Sequence, residues 1–285
     1  MLGKFKNTII VKFIQNIFEK LIYSLSIYIN YQTSLINLYN QNLNQNELNL
    51  KKESPLGLLQ QELVKSDLVY RVGSELDGGY VMGKISNQKY AISIGVGRDV
   101  SWDEAMAKQG INVHMFDHTV KKPPTSFKNS QFYKIGIRSS KINKSRKLLL
   151  LEEILHKIGL ADNKNLILKI DIEGAEWDIL AEIDALSLTK FDYIIIEFHD
   201  LDLSNLKQRE ILAKLKINHG IIHVNPNNYS KILSFEGYLI PNVLEITYVK
   251  KEVLKNYQGS EYSTLTYKND SRVPSFSNKI FRLPS

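Results

Sequence analysis

From Leu68 onward, short apolar runs rich in β-branched residues alternate with stretches of helical spacing. No other feature constrains the fold as much, because strands joined through helices need right-handed crossovers and pair in parallel. The runs are "YAISIGVG", "INVHMFD", "FYKIGI", "NLILKIDIEG", "FDYIIIEFHD", "GIIHVNP" and "NVLEITYVK". Helices are predicted at Ser101 to Lys108, Ser145 to Ile158, Ala175 to Ile183 and Asn205 to Leu215. The gap "HTVKKPPTSFKNS" reads as a loop. "ILKID" and "YIIIEF" are almost continuously apolar, as strands buried on both faces are. The connection "NNYSKILSFEGYLIPN" leaves little room for a helix, so the final strand is expected to run antiparallel. Ahead of the sheet, "LVYRVGSELDGGYVMG" reads as a hairpin, with Asp77, Gly78 and Gly79 tolerating positive φ in its turn. The expectation is an α/β fold with a seven-stranded, mostly parallel sheet over residues 56–255.

The flanks differ from this pattern. Residues 1–55 carry helically spaced apolar positions, including Ile10, Ile14, Ile17, Leu21 and Leu25, and end in an Asn/Gln-rich linker closed by Pro55. They are predicted to form an N-terminal helical extension: packed on the main domain, serving as a dimerisation arm through residues 1–40, or lying in a membrane surface. Lys12 and Lys20 interrupt the first half, so no stretch approaches the ~20 clean apolar residues of a spanning helix. Residues 256–285 are polar and weakly patterned, a tail or a cover. The net charge of +7 comes from scattered lysines, which points to a solvated surface and not to a nucleic-acid stripe. Cysteine is absent, which excludes disulfides and thiolate metal sites and is compatible with the cytoplasm.

In an open parallel sheet, ligands bind outside the carboxyl ends of the strands. "SIGVGRD" ends the first run, and Gly95 and Gly97 there let the backbone approach a ligand, with Ser101 placed to cap the next helix. Asp117 ends the second run about 20 residues later, the spacing at which an acid accepts bonds from ribose hydroxyls. Gly136, in the third run, joins these as a cofactor-binding candidate. The complete Gly-x-Gly-x-x-Gly of a dinucleotide binder is missing, because position 100 is Val. In "LKIDIEGAEWDIL", Asp171 leaves a buried strand and Glu173-Gly174 turns the chain. A carboxylate there costs several kcal/mol unless it is paired, solvated or bound to a ligand. Glu176 and Asp178, in the first helical turn, suit the helix dipole and read as structural. Glu197, His199, His223, Asn225, Asn227 and Asn228 end the next two runs.

These residues resemble the FkbM-type family of S-adenosylmethionine-dependent methyltransferases. The resemblance runs from about Leu68 to Lys250 and is most specific in "LKIDIEGAEWDIL", with support from "DGGYVMG", "SIGVGRDVSWDEAMAKQG", "FDHT" and "HVNPNNY". It implies a Rossmann-like methyltransferase fold, S-adenosylmethionine as cofactor, and O-methylation of a hydroxyl on a sugar, glycan or glycolipid-like acceptor. Two positions depart from the pattern. Ser93 stands where many methyltransferases have an acid, and Asn225 stands where some relatives have histidine.

The cofactor would then lie against Gly95, Gly97, Asp117, Gly136 and Asp171. Asp171 or His199 is the expected base, because an alcohol is a poor nucleophile until its proton is taken. His223 with Asn227 and Asn228 would hold acceptor hydroxyls, and Glu173 and Glu197 would line the same side. A divalent ion on Asp171, Glu197 and His199 is a variant, but no tight spacing such as His-x-x-x-His supports it and no metal ligands are assigned. Two rivals come from other classes: a non-catalytic adapter docked through its N-terminal helix, and an NAD-dependent sugar-modifying enzyme. Base methylation in nucleic acid is disfavoured, since "NPNNY" lacks the second proline of the base-flipping signature.

Overall fold

The computed structural model describes residues 55–75, 78–141, 147–227, 230–235 and 238–260. The expected N-terminal extension, the end of the tail, Asp77 and Asn228 lie outside them.

The chain enters through a hairpin of β1 (Val69–Val72) and β2 (Tyr80–Gly83), antiparallel as expected. It then builds β3 (Tyr90–Ile94), helix α1 (Ser101–Lys108), β4 (Asn112–Phe116) and β5 (Ser130–Tyr133). Two short strands, β6 (Gly136–Ile137) and β7 (Leu148–Leu149), precede α2 (Leu151–Lys157) and β8 (Leu166–Ile170). After these come α3 (Glu176–Glu182), α4 (Ala185–Leu188), β9 (Phe191–Phe198), α5 (Leu206–Asn218) and β10 (His219–Pro226). A second hairpin, β11 (Ile232–Phe235) and β12 (Tyr238–Pro241), leads to β13 (Leu244–Lys250) and the short α6 (Lys251–Leu254).

The main sheet has seven strands in the order β10-β13-β9-β8-β3-β4-β5. All neighbours are parallel except β13, which runs antiparallel to both β9 and β10. This is the expected mixed α/β sheet with an inverted last strand. Chain order reverses between β3 and β8, so a crevice opens at the carboxyl ends of those two strands. β8, β9 and β10 are buried along their whole length, which is why their sequences do not alternate.

One face of the sheet is covered by the hairpin and α1. Tyr80, Val81 and Met82 pack in a single cluster with Trp102, Met106, Tyr193, Ile195 and Val249. The hydroxyl of Thr247 in β13 also donates to the Val81 carbonyl. On the other face, Trp177 of α3 stacks on Phe198 with ring centroids 4.6 Å apart. Burying side chains of this size contributes about 1.5–3 kcal/mol each.

Three local expectations change. "FYKIGI" is not one strand: β5 ends at Tyr133, and Gly136–Ile137 turn away to pair with Leu148–Leu149. Helix α2 begins at Leu151, directly after β7, and the predicted start at Ser145 lies outside the described residues. Ser101 does not cap α1 with its side chain; its hydroxyl accepts from the Ser74 amide at 2.8 Å and donates to the Gly78 carbonyl at 3.2 Å, tying α1 to the hairpin.

Candidate active site

The loop after β3 depends on glycine. Gly95 has φ +82°, and a Cβ there would sit 1.5 Å from the Asp171 carbonyl oxygen, so only glycine lets the ends of β3 and β8 meet this closely. The Asp171 amide donates to the Ile94 carbonyl at 3.0 Å, and the Gly95 amide to the Phe116 carbonyl at 2.9 Å. Gly97, with φ +58°, has open space where its Cβ would be. Its amide donates to Asp117 Oδ2 at 2.9 Å, which binds the glycine loop to the end of β4.

Asp117 is buried, and its Oδ1 accepts from the Thr119 amide at 2.7 Å and hydroxyl at 2.6 Å. Burial alone would raise its pKa, but the bonds from Thr119 and Gly97 outweigh that and hold the carboxyl below its ordinary range. Gly136 serves close packing beside this loop, since a Cβ there would lie 2.4 Å from the His118 ring.

At the end of β8, Asp171 Oδ2 accepts from the Tyr80 hydroxyl at 2.8 Å and lies 3.9 Å from Lys169 Nζ. Lys169 is buried, donates to the Gly95 carbonyl at 3.3 Å and sits 4.9 Å above the Tyr80 ring. The ammonium therefore holds the glycine loop and Asp171 together from below.

The next turn folds around Glu176. This side chain is 0% exposed and accepts from the amides of Ile172 at 3.0 Å and Gly174 at 3.1 Å. It also accepts a hydrogen bond from His199 Nδ1–H at 3.0 Å. Trp177 Nε1 donates to the His199 carbonyl at 2.6 Å, so α3 fixes both the ring and the backbone of that residue. His199 Nε2 points to Glu173, whose Oε2 is 3.4 Å away. Glu173 takes the left-handed conformation, φ +57°, which costs a residue with a Cβ about 1–2 kcal/mol. Burial would lower the His199 pKa, but Glu176 first, then Glu197 and Asp171, raise it to about 9.

Towards the acceptor side, Asn227 Nδ2 donates to Glu197 Oε1 at 2.9 Å. Glu197 faces Glu245 directly across β9 and β13, and Asn225 Nδ2 donates to Glu245 Oε2 at 3.2 Å. Burial, then the Glu197 charge, push the Glu245 carboxyl well above the carboxylate range. Two glutamates opposed in this way disfavour a second charge, and burial directs a proton to Glu245. His223 departs from its expected place at the rim: it lies inside β10, opposite Thr247, and is buried. Asp178 matches its structural reading, exposed and paired with Lys207 at 2.7 Å.

The structure thus brings Gly95, Gly97, Asp117, Asp171, Glu173 and His199 to one rim. Four residues that sequence reasoning missed support them: Tyr80, Lys169, Glu176 and Glu245. Glu176 had a signal in the "EGAE" spacing, which returns an acid to the turn it caps. Tyr80 and Glu245 had none, because their partners are 91 and 48 residues away and are set by register alone. Asp171, Glu173 and His199 each offer one ligand atom, all within 4.8 Å of one another. This set has Glu173 where the sequence suggested Glu197.

Among the described residues, no helix is long and apolar enough to cross a membrane. Residues 84–220 match the family model described as Methyltransferase FkbM domain. A comparison with curated proteins gives no match.

Proposed function

We propose that this chain, whose residues 84–220 match the family model of a methyltransferase FkbM domain, is an S-adenosylmethionine-dependent O-methyltransferase acting on a hydroxyl of a sugar, glycan or glycolipid-like acceptor. The reading takes residues 56–255 as the catalytic domain, with residues 1–55 and 256–285 as extension and tail. One observation carries it. The glycine loop after β3 is bonded to the acid that ends β4 and packed against the acid that ends β8, at the point where strand order reverses.

The residues fit such a cofactor. Gly97 leaves open space at the loop, and Asp117 is ionised at the distance along the chain where a ribose is held. Each carboxylate oxygen has two lone pairs, so Oδ2 has capacity beyond its bond from Gly97. When bound, S-adenosylmethionine supplies an electrophilic methyl group on a sulfonium. Gly95, Gly97 and Asp117 would hold its adenosine side, with Gly136 letting the loop that carries Asp117 pack closely.

The remaining work belongs to the rim. The acceptor oxygen must be aligned with the methyl carbon and kept from water, and its proton must leave as the new C–O bond forms. Asp171 suits the proton better than His199. Both nitrogens of His199 already face carboxylates, whereas Asp171 is held by Tyr80 and Lys169 through Oδ2 alone among the described residues. Asn227 and Glu197 would bind acceptor hydroxyls; His223, buried inside β10, is left out of that role.

Isothermal calorimetry with S-adenosylmethionine tests the cofactor assignment. Saturable binding by the full chain, weakened by Asp117→Asn, is the expected result. No heat of binding, or binding of NAD in its place, would overturn it. A screen of nucleotide sugars and glycans for methyl uptake then tests the acceptor class, and Asp171→Asn should abolish turnover while leaving cofactor affinity within a few-fold.

A further inference from the structure

We propose that Asp171, Glu173 and His199 bind one divalent cation. Their three ligand atoms lie within 4.8 Å of one another, close enough to share an ion after small side-chain adjustments. Two carboxylates and one imidazole are hard-to-borderline ligands, suited to an ion such as Mn2+ or Mg2+ and unsuited to a soft one.

The histidine carries the argument beyond a group of acids. A metal-ligating imidazole commonly donates its second N–H to a carboxylate, which fixes the tautomer and aims the other nitrogen at the ion. Glu176 holds His199 in this manner. It lies outside the ligand set, is wholly buried, and is itself fixed by the amides of Ile172 and Gly174. Nδ1–H is committed to Glu176, and Nε2, which points towards Glu173, gives up its proton to solvent as the ion takes that place. Location supplies a second, independent reason. Asp171 packs against Gly95 at the crevice where strand order reverses, and that is where open α/β sheets bind ligands.

Charge makes the same demand. Asp171, Glu173, Glu176 and Glu197 gather around His199, and Lys169 is a buried cation beside Asp171. Glu173 also keeps a left-handed backbone, a position that usually falls to glycine, and this aims its carboxylate at His199. Three protein ligands leave open positions for water or for oxygens of an acceptor. A hydroxyl bound there is oriented and made more acidic, so the ion would ease the release of the acceptor's proton. That role rests on the methyl-transfer reading; the binding of the ion does not.

The test is a titration of the full chain with Mn2+, following the loss of free-ion EPR signal, run beside calorimetry with S-adenosylmethionine. Saturable binding of one Mn2+ is expected, displaced by excess Mg2+. Glu173→Gln, at an exposed side chain whose loss leaves the fold intact, should weaken it at least about tenfold, and Glu176→Gln about 10- to 100-fold. Absence of saturable binding to the wild-type chain with the cofactor present, or unchanged affinity in both Glu173→Gln and Asp171→Asn, overturns the proposal. A chain that binds S-adenosylmethionine but not Mn2+ sinks the ion alone. A chain that binds Mn2+ through these residues but not S-adenosylmethionine supports the ion and sinks the methyltransferase reading.

Discussion

Gly95 and Gly97 stand two residues apart in one loop, both in the left-handed region, yet they do different work. Alanine at 97 meets nothing within 4 Å, so its cost is backbone strain of about 1 kcal/mol. Alanine at 95 carries a similar strain and also places a Cβ 1.5 Å from the Asp171 carbonyl, which forces β3 and β8 apart. Overpacking of that kind adds about 1–3 kcal/mol. Urea unfolding should therefore rank Gly95→Ala well below Gly97→Ala, by at least about 1–3 kcal/mol. Gly97→Ala should keep nearly normal stability but lose affinity for S-adenosylmethionine, because its added methyl occupies the open side of the loop. Equal stability loss in the two variants would show that the crowding at Gly95 is relieved cheaply.

At the scale of elements, the hairpin β1–β2 is part of the site and not only a cover for the sheet. Arg71 donates to the Ser74 and Gly79 carbonyls at 2.7 and 2.6 Å, holding the turn that presents Tyr80 to Asp171. Gly79 lies against the same turn: a Cβ there would sit 1.9 Å from the Ser74 carbonyl oxygen. Gly79→Ala should therefore open the turn, lower the stability measured by urea unfolding by about 1–3 kcal/mol, and reduce hydrogen-exchange protection along β2. Unchanged protection at Val81 and Met82 would mean that the hairpin stands without the turn. The hairpin itself was legible, because Gly78-Gly79 between apolar runs is a strong local signal. Helix α1 was legible from Ser101 to Lys108, and the inverted β13 followed from a connection too short for a helix. The break after β5 was not. Nothing in "FYKIGI" marks the exit; β5 holds through the stack of Tyr133 on Phe116, 4.6 Å apart, and Gly136 leaves to pair with residues 12 positions on. The site divides in the same way. Polar residues that end apolar runs can be read from the chain, whereas Glu245 and Tyr80 sit inside such runs and gain meaning only from strands brought together by the sheet.

The stability of the whole molecule should depend on pH through His219, which opens β10 and is wholly buried. Its Nε2–H donates to the Phe191 carbonyl at 2.9 Å, so the ring can remain neutral without an unpaired donor. Burial lowers its pKa to about 4; the bond to Phe191 opposes this, and Lys250 and Lys251 add to it. The unfolded value is about 6.5, above the folded one. Above about pH 6.5 the ring is neutral in both states and contributes nothing to the pH dependence. Between that pH and about 4 only the unfolded chain takes the proton, so stability falls as the solution is acidified, by about 3 kcal/mol in all. His219→Gln keeps a donor for the Phe191 carbonyl but cannot titrate. The variant should lose some stability at neutral pH through imperfect packing, yet its stability should decline less steeply than that of the wild type across this window. Urea unfolding of both chains at about pH 7.5 and about pH 4.5 gives the comparison, and carboxylates common to the two cancel in the difference. Parallel declines would mean that water or a second acceptor reaches the ring on acidification and lets it charge in place. In that event the acid sensitivity of the sheet must come from the carboxylates at its rim, not from its buried edge.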